Sequence, residues 1–230
     1  MDQNEFIKLI KKNFINVDKL FFDNIEKYKI VLQNYANKFN LSKLINEDKI
    51  YSEYFYNSII PYSKINFNEI TTVLDIGSGS GIPGVIIKLI YPHIKLTIIE
   101  ATTKKVEFLK ILMSELNIKA NIINKRAENI STNEYETFDL VTSRAVAALK
   151  VLLEISAPYC KTNKYIVEPK SIKASDELLA SSKIIKLLNL KLIDEIKFTS
   201  ENEYFHDVLI FKKLAKTNHK YPRSWKEIVK

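Results

Sequence analysis

Glycine is nearly absent from this chain. It occurs four times in 230 residues, at positions 77, 79, 81 and 84, all within the stretch LDIGSGSGIPG at 74–84. Glycine is required where the backbone takes positive φ or where another group approaches too closely for a Cβ, so the clustering marks one unusual loop. Cysteine is scarcer still. The single Cys160 excludes an internal disulfide and a cysteine-rich zinc site, and His93, His206 and His219 are scattered without metal-ligand spacing, so no metal is expected. Lysines interrupt every apolar run, which excludes a membrane-spanning helix. The N-terminal MDQNEFIKLIKKNF has acids before any apolar run and no small-residue cleavage site, so it does not read as a signal peptide. A cytoplasmic, metal-free monomer is the expectation.

Arginine is also rare. Of 35 basic residues only Arg126, Arg144 and Arg223 are arginines, so each marks a place where a planar guanidinium fork matters more than charge alone. The formal charge of +8 points to a polyanionic partner. Lysine, isoleucine and asparagine are abundant along the whole chain, however, and charge alone does not decide for nucleic acid.

What is present reads in two textures. With 46% hydrophobic residues the chain can bury one large core, with or without a small extension. Residues 1–68 form a helical extension: Phe21, Ile25, Tyr28, Leu32, Tyr35 and Phe39 recur on one helical face that Asn40 is placed to end. Residues 69–230 form the second unit, where strand and helix alternate. TTVLDI, KLTIIE, ANIINKR and FDLVTSRA read as strands, with helices over VIIKLIYP and TTKKVEFLKILMSELN. That alternation builds a parallel sheet covered by helices on both faces, an α/β fold. LKLIDEIKFTS and HDVLIFKKLA, joined by a short connection, read as an antiparallel pair at a sheet edge. The tail KTNHKYPRSWK interleaves basic residues with Tyr221 and Trp225, a mix suited either to RNA stacking and phosphate contact or to packing on the fold.

Three ligands favour a glycine loop between strand and helix. A phosphate-binding P-loop is excluded, because Val85 and Ile86 follow Gly84 where Lys and Ser or Thr are required. Gly79, Gly81 and Gly84 do match the dinucleotide pattern G-x-G-x-x-G, with Glu100 as the ribose-binding acid. Against it, Pro83 removes a backbone donor where pyrophosphate would bind, and Asp75 puts a carboxylate nearby. Both features suit a ligand that is cationic at that end. S-adenosyl-L-methionine is such a ligand, and Asp75, Gly77, Gly79 and Gly81 resemble the first motif of class I methyltransferases, with Glu100 placed for both ribose hydroxyls.

The GSGSGIPG loop together with KRAEN at 125–129 and FDLVTSRAVAAL at 138–149 carries a closer resemblance. Over residues from about 40 to 223 the chain resembles the RsmG/GidB family, bacterial methyltransferases that modify guanine N7 in the 530 loop of 16S ribosomal RNA. The resemblance implies a Rossmann-like, mostly parallel seven-stranded sheet ending in a reversed strand, S-adenosyl-L-methionine as cofactor, and 16S rRNA or the small ribosomal subunit as partner. It implies that Gly77 and Ile82 line the methionine and sulfonium end, Glu100 holds the ribose, and Ala127 and Glu128 meet the adenine. Arg144 is the implied catalytic residue, at the mouth of the cofactor site where the target base arrives. Lys104, Arg126 and Lys170 are implied RNA contacts, and His206 and Arg223 extend that set.

The chain departs from the family at Tyr54 and Asn57, where His and Asp are usual, at Ser171, where Gly follows the lysine, and at His206, near which an arginine is usual. A histidine replaces that arginine's charge only when protonated. The other functions open to the sequence are methylation of another RNA or a small molecule, nicotinamide-dependent oxidation, and RNA binding without catalysis.

Overall fold

Neighbouring residues on the strands point into two different apolar clusters, and that alternation organises the molecule. The computed structural model describes residues 1–15, 17–39, 41, 49–130, 132–144, 146–171, 174–199 and 205–229. In β1 (Thr72–Ile76) Val73 joins one cluster while Leu74 and Ile76 join the other. In β4 (Phe138–Ser143) the split falls between Leu140 and Val141, and in β5 (Cys160–Ser171) between Val167 and Ile166. Side chains of a strand alternate between faces, so a sheet with both faces apolar needs a layer on each.

The sheet has seven strands in the order β3-β2-β1-β4-β5-β7-β6, where β2 is Lys95–Ile99, β3 Ala120–Ile123, β6 Leu190–Thr199 and β7 Phe205–Lys213. The first five run parallel, and β7 inserts antiparallel between β5 and β6. The four strands read from β-branched runs in the first half are present, and so is the antiparallel pair. One strand of that pair lies inside the sheet, because β5 offers its free edge to β7.

On one face lie α1 (Gln3–Asn13), α2 (Lys19–Phe39), a π-helical stretch Ile50–Tyr56 running into α3 (Asn57–Ile59), α4 (Gly84–Ile90) and α5 (Thr103–Glu115). The Asp18 carboxylate caps α2 by accepting from the Phe21 amide at 2.9 Å. The helix then buries Phe21, Ile25, Tyr28, Leu32 and Phe39, as its stripe predicts. Asn40, the predicted stop, lies outside the described residues. The apolar cluster under this layer is continuous from Phe6 to Ile210, so residues 1–68 and the sheet share one core. The opposite face is covered by α6 (Leu149–Ser156), α7 (Ala174–Ala180), α8 (Ser182–Leu187) and the short α9 (Trp225–Ile228). Among the described residues no helix is long and apolar enough to cross a membrane.

One side chain sews the bottom of the sheet together. Asp139 accepts from the Thr71 and Thr72 amides at 2.9 and 3.0 Å, from both threonine hydroxyls, and from Lys161 Nζ at 2.9 Å. Burial alone pushes this carboxyl up, yet Lys161 and the threonine donors outweigh it and hold its pKa well below the usual range. A depressed pKa stabilises the fold above the ordinary carboxylate range, and the contribution is lost as pH falls through the folded value. Asp139→Ala is expected to cost about 3 kcal/mol at neutral pH and to flatten the acid limb of the stability profile, as read by urea unfolding between pH 7 and 3.

Candidate active site

At the C-terminal end of β1 the chain makes the loop that consumes all its glycine. Gly77, Gly79 and Gly81 take φ of 70°, 61° and 103°, the left-handed region that other residues avoid. Gly84 has a different reason: a Cβ there would stand 2.7 Å from Asp75 Oδ2 and 2.9 Å from its Cβ. The closeness is functional. Asp75 Oδ2 accepts from Ser78 Oγ at 2.6 Å and from the Gly84 amide at 2.9 Å, binding the strand end to the first residue of α4.

A second set of contacts grips the loop from outside. Tyr28 on α2 donates to the Ser80 carbonyl at 2.5 Å, and Tyr54 donates to the Ser80 hydroxyl. Both tyrosines are buried and meet edge to face. Tyr54, the first departure noted from the sequence, serves here as a loop anchor. Asn57, the second departure, is buried in α3.

Beside the loop lies a cavity of about 290 Å³, lined by Ile76, Gly77, Ile99, Glu100, Ala101, Lys105, Lys125, Arg126, Ala127, Glu128, Val146, Ile155 and Trp225. It sits at the C-terminal ends of the strands, where open α/β sheets bind ligands. The Glu100 carboxylate is fixed by the Gly79 amide at 3.0 Å and the Thr102 amide at 2.8 Å, one to each oxygen, which leaves a lone pair on each for paired hydroxyls. Two further carboxylate oxygens, Asp75 Oδ1 and Glu128 Oε1, are buried with no hydrogen-bond partner among the described residues. Glu128 Oε1 does lie 3.5 Å from Arg126 Nη1, within ion-pair range. Buried acceptors without donors are rare; Glu128 lines the cavity on its β3 side, while Asp75 lies buried behind the glycine loop. A ligand with a sugar diol fits the acceptors that Glu100 and Glu128 present there; a pyrophosphate, facing both carboxylates, does not.

Of the residues named from sequence, Gly77, Glu100, Ala127, Glu128 and Arg126 share the cavity. Asp75, Gly79 and Gly81 shape the loop from behind, and Ile82 packs into the larger apolar cluster. Arg144, just past β4, is half-buried against the N-terminal layer, where it donates to Ser58 Oγ and to the Glu53 carbonyl at 3.3 Å. Lys104 is exposed on α5. Lys170 is drawn inward, with Nζ 2.8 Å from Glu177 and 3.0 Å from the Ala147 carbonyl. Arg223 forks onto buried Glu154 at 2.6 and 2.8 Å. His206 lies on β7 opposite Ser171 of β5; neither side chain is among those described. Sequence reading singled out neither Lys105 nor Ile155, nor Lys125 and Val146, although the last two lie within the quoted KRAEN and FDLVTSRAVAAL motifs, and it left Trp225 between two roles. Among the described residues no group of three or more His, Cys, Asp or Glu could hold a metal.

A parallel sheet with one reversed strand, a glycine loop after β1 and an acid at the end of β2 define a class I methyltransferase. Solved structures share that fold: an O-methyltransferase unit titled StiE O-MT superposes with TM-score 0.57 at 13% identity over 70% of this chain and 74% of its own. An O-methyltransferase from a trans-AT PKS multienzyme of Brevibacillus brevis, in complex with S-adenosyl-L-homocysteine, gives 0.54 at 15% over 67% and 70%. Sequence narrows the class. The family model described as "GidB: rRNA small subunit methyltransferase G" matches residues 22–204. Proteins called Ribosomal RNA small subunit methyltransferase G from Ureaplasma parvum serovar 3 and Malacoplasma penetrans are 43% and 38% identical over all of this chain and 99% and 98% of their own. One from Lysinibacillus sphaericus is 34% identical over 97% and 95%. The chain belongs to the GidB family of S-adenosylmethionine-dependent methyltransferases.

Burial raises the Asp75 carboxyl from 3.8 to about 7, and burial likewise raises Glu168 on β5 from 4.5 to about 8. Folded protein therefore keeps protons that the unfolded chain releases, so stability declines as pH rises from about 5 to 8. Asp75→Asn and Glu168→Gln should each flatten that slope in melting curves taken across the range; variants with the slope of the unmodified protein would contradict the assignment.

Proposed function

We propose that this chain methylates N7 of a guanine in the 530 loop of 16S ribosomal RNA with S-adenosyl-L-methionine. The observation that carries the reading is the Glu100 carboxylate, held in the cavity by two backbone amides with acceptor capacity left on each oxygen, in a chain of this family. Glu100 would hold the ribose hydroxyls, Ala127 and Glu128 the adenine side, and Gly77 the methionine side, while Asp75 Oδ1 takes the ammonium. The cofactor supplies a methyl group made electrophilic by its sulfonium. A cationic partner favours the ionised carboxylate, so Asp75 gives up its proton as the ammonium arrives.

The chemistry asks little more of the side chains. Guanine N7 carries an in-plane lone pair and no proton, so no general base is required, and orienting the two reactants contributes about 7 to 11 kcal/mol. N7 and O6 are both acceptors on that edge of guanine. Arg144 meets O6 and leaves N7 free, since a grip on both atoms would block attack. Its anchors at Ser58 and the Glu53 carbonyl fix the plane of the guanidinium. Lys105, Lys125 and Arg126 form a basic margin to the cavity, with Lys104 exposed next to Lys105 on α5, suited to RNA phosphates.

Labelled methyl transfer from S-adenosylmethionine to small subunits lacking the modification, followed by nucleoside analysis, should yield 7-methylguanosine. A different methylated nucleoside, or none from an enzyme shown to bind cofactor, would overturn the substrate. Arg144→Ala should lower turnover about 100-fold while cofactor affinity stays within about threefold; unchanged turnover would remove Arg144 from the chemistry.

A further inference from the structure

The family model matches residues 22–204, and a wall of the cavity comes from beyond it, from residue 225. After β7 the chain crosses the face covered by α6 and is pinned there. Arg223 gives Glu154 three bonds, from its amide at 3.0 Å, Nε at 2.8 Å and Nη2 at 2.6 Å, and the Glu154 side chain is only 1% exposed. Tyr221 and Ile228 bury themselves in the apolar cluster on that side. Between these anchors Ser224 and Glu227 form a capping box that opens α9. The fastening leaves Trp225 half-buried at the cavity, with the Arg126 guanidinium 5.1 Å from its ring centroid. Arg126 is in turn 3.5 Å from Glu128.

We propose that this C-terminal strap closes the nucleoside end of the cofactor pocket and that Trp225 is its packing surface for the adenine, an inference that rests on the cofactor reading above. The neighbours decide which end it closes. Trp225 meets Arg126, which pairs with Glu128 of the adenine side, whereas Val146 packs beside Gly77, assigned to the methionine side. An indole held by a guanidinium offers an aromatic ring of fixed orientation, on which a base can stack without the ring first being ordered. The strap also accounts for Arg223, whose fork is spent on fastening.

Trp225 is the chain's only tryptophan, so its fluorescence reports on this place alone. Titration of the full chain with S-adenosyl-L-homocysteine should change that emission along a curve that gives the calorimetric Kd. Trp225→Ala should weaken binding about tenfold, and Trp225→Phe should stay within about threefold of the unmodified protein. Emission that does not respond to saturating ligand, or equal affinity in Trp225→Ala, overturns the strap and leaves the cofactor reading intact. Trp225→Ala with full cofactor affinity but weakened binding to small ribosomal subunits would assign the ring to RNA and also overturn it. Failure of the unmodified protein to bind the ligand overturns both.

Discussion

The Asp75 carboxylate is the contact on which the rest depends. One of its oxygens ties the end of β1 to Ser78 and to the first amide of α4, and so sets the path of the loop between them. The tie needs Gly84, because any side chain there collides with the carboxylate. It also leaves the second oxygen buried and unpartnered. A carboxyl in that position is costly to ionise, which is why burial moves its pKa to about 7. The same group is thus a structural brace with one acceptor left over.

The N-terminal layer extends this arrangement to the reacting side. The stretch Ile50–Ile59 holds Ser80 of the glycine loop through Tyr54 and holds Arg144 through Ser58 and the Glu53 carbonyl. Tyr62 adds a contact to Thr142 at 2.6 Å, at the end of β4. The loop that lines the cofactor cavity and the arginine assigned to the target base are therefore fastened to one element. Backbone shifts in that element move both, which gives the layer a role beyond covering the sheet. Catalysis by orientation depends on such shared fastening, since small misplacements cost rate steeply.

Much of this was legible in the residues. The β-branched runs of β1, β2 and β4, the stripe on α2 and the glycine cluster each carry a periodicity or a scarcity that has one physical explanation. β5 was not legible: CKTNKYIVEPKS mixes polar residues with a proline, and its buried residues are Cys160 at the start and Ile166, Val167 and Glu168 in the centre. The carboxylates at 75 and 100 could be named from spacing, but their division of labour could not. Which oxygen braces the loop, and which is left over, follows from packing against Gly84 and Gly79. The inward turn of Lys170 onto Glu177 and the Arg223–Glu154 fork depend on α6, α7 and the strap meeting on one face, contacts between residues far apart in the chain. Basic residues in a lysine-rich sequence look alike until those partners are known.

The central claim is that the leftover oxygen of Asp75 receives the cofactor's ammonium. Calorimetric titration with S-adenosyl-L-homocysteine at pH 6, in buffers of different ionisation enthalpy, counts the protons exchanged on binding. Burial raises the Asp75 pKa to about 7 in the free protein, so ionisation on binding would release close to one proton at pH 6, shrinking towards zero above pH 8 and absent in Asp75→Asn. Binding at pH 6 with no proton released would contradict the account.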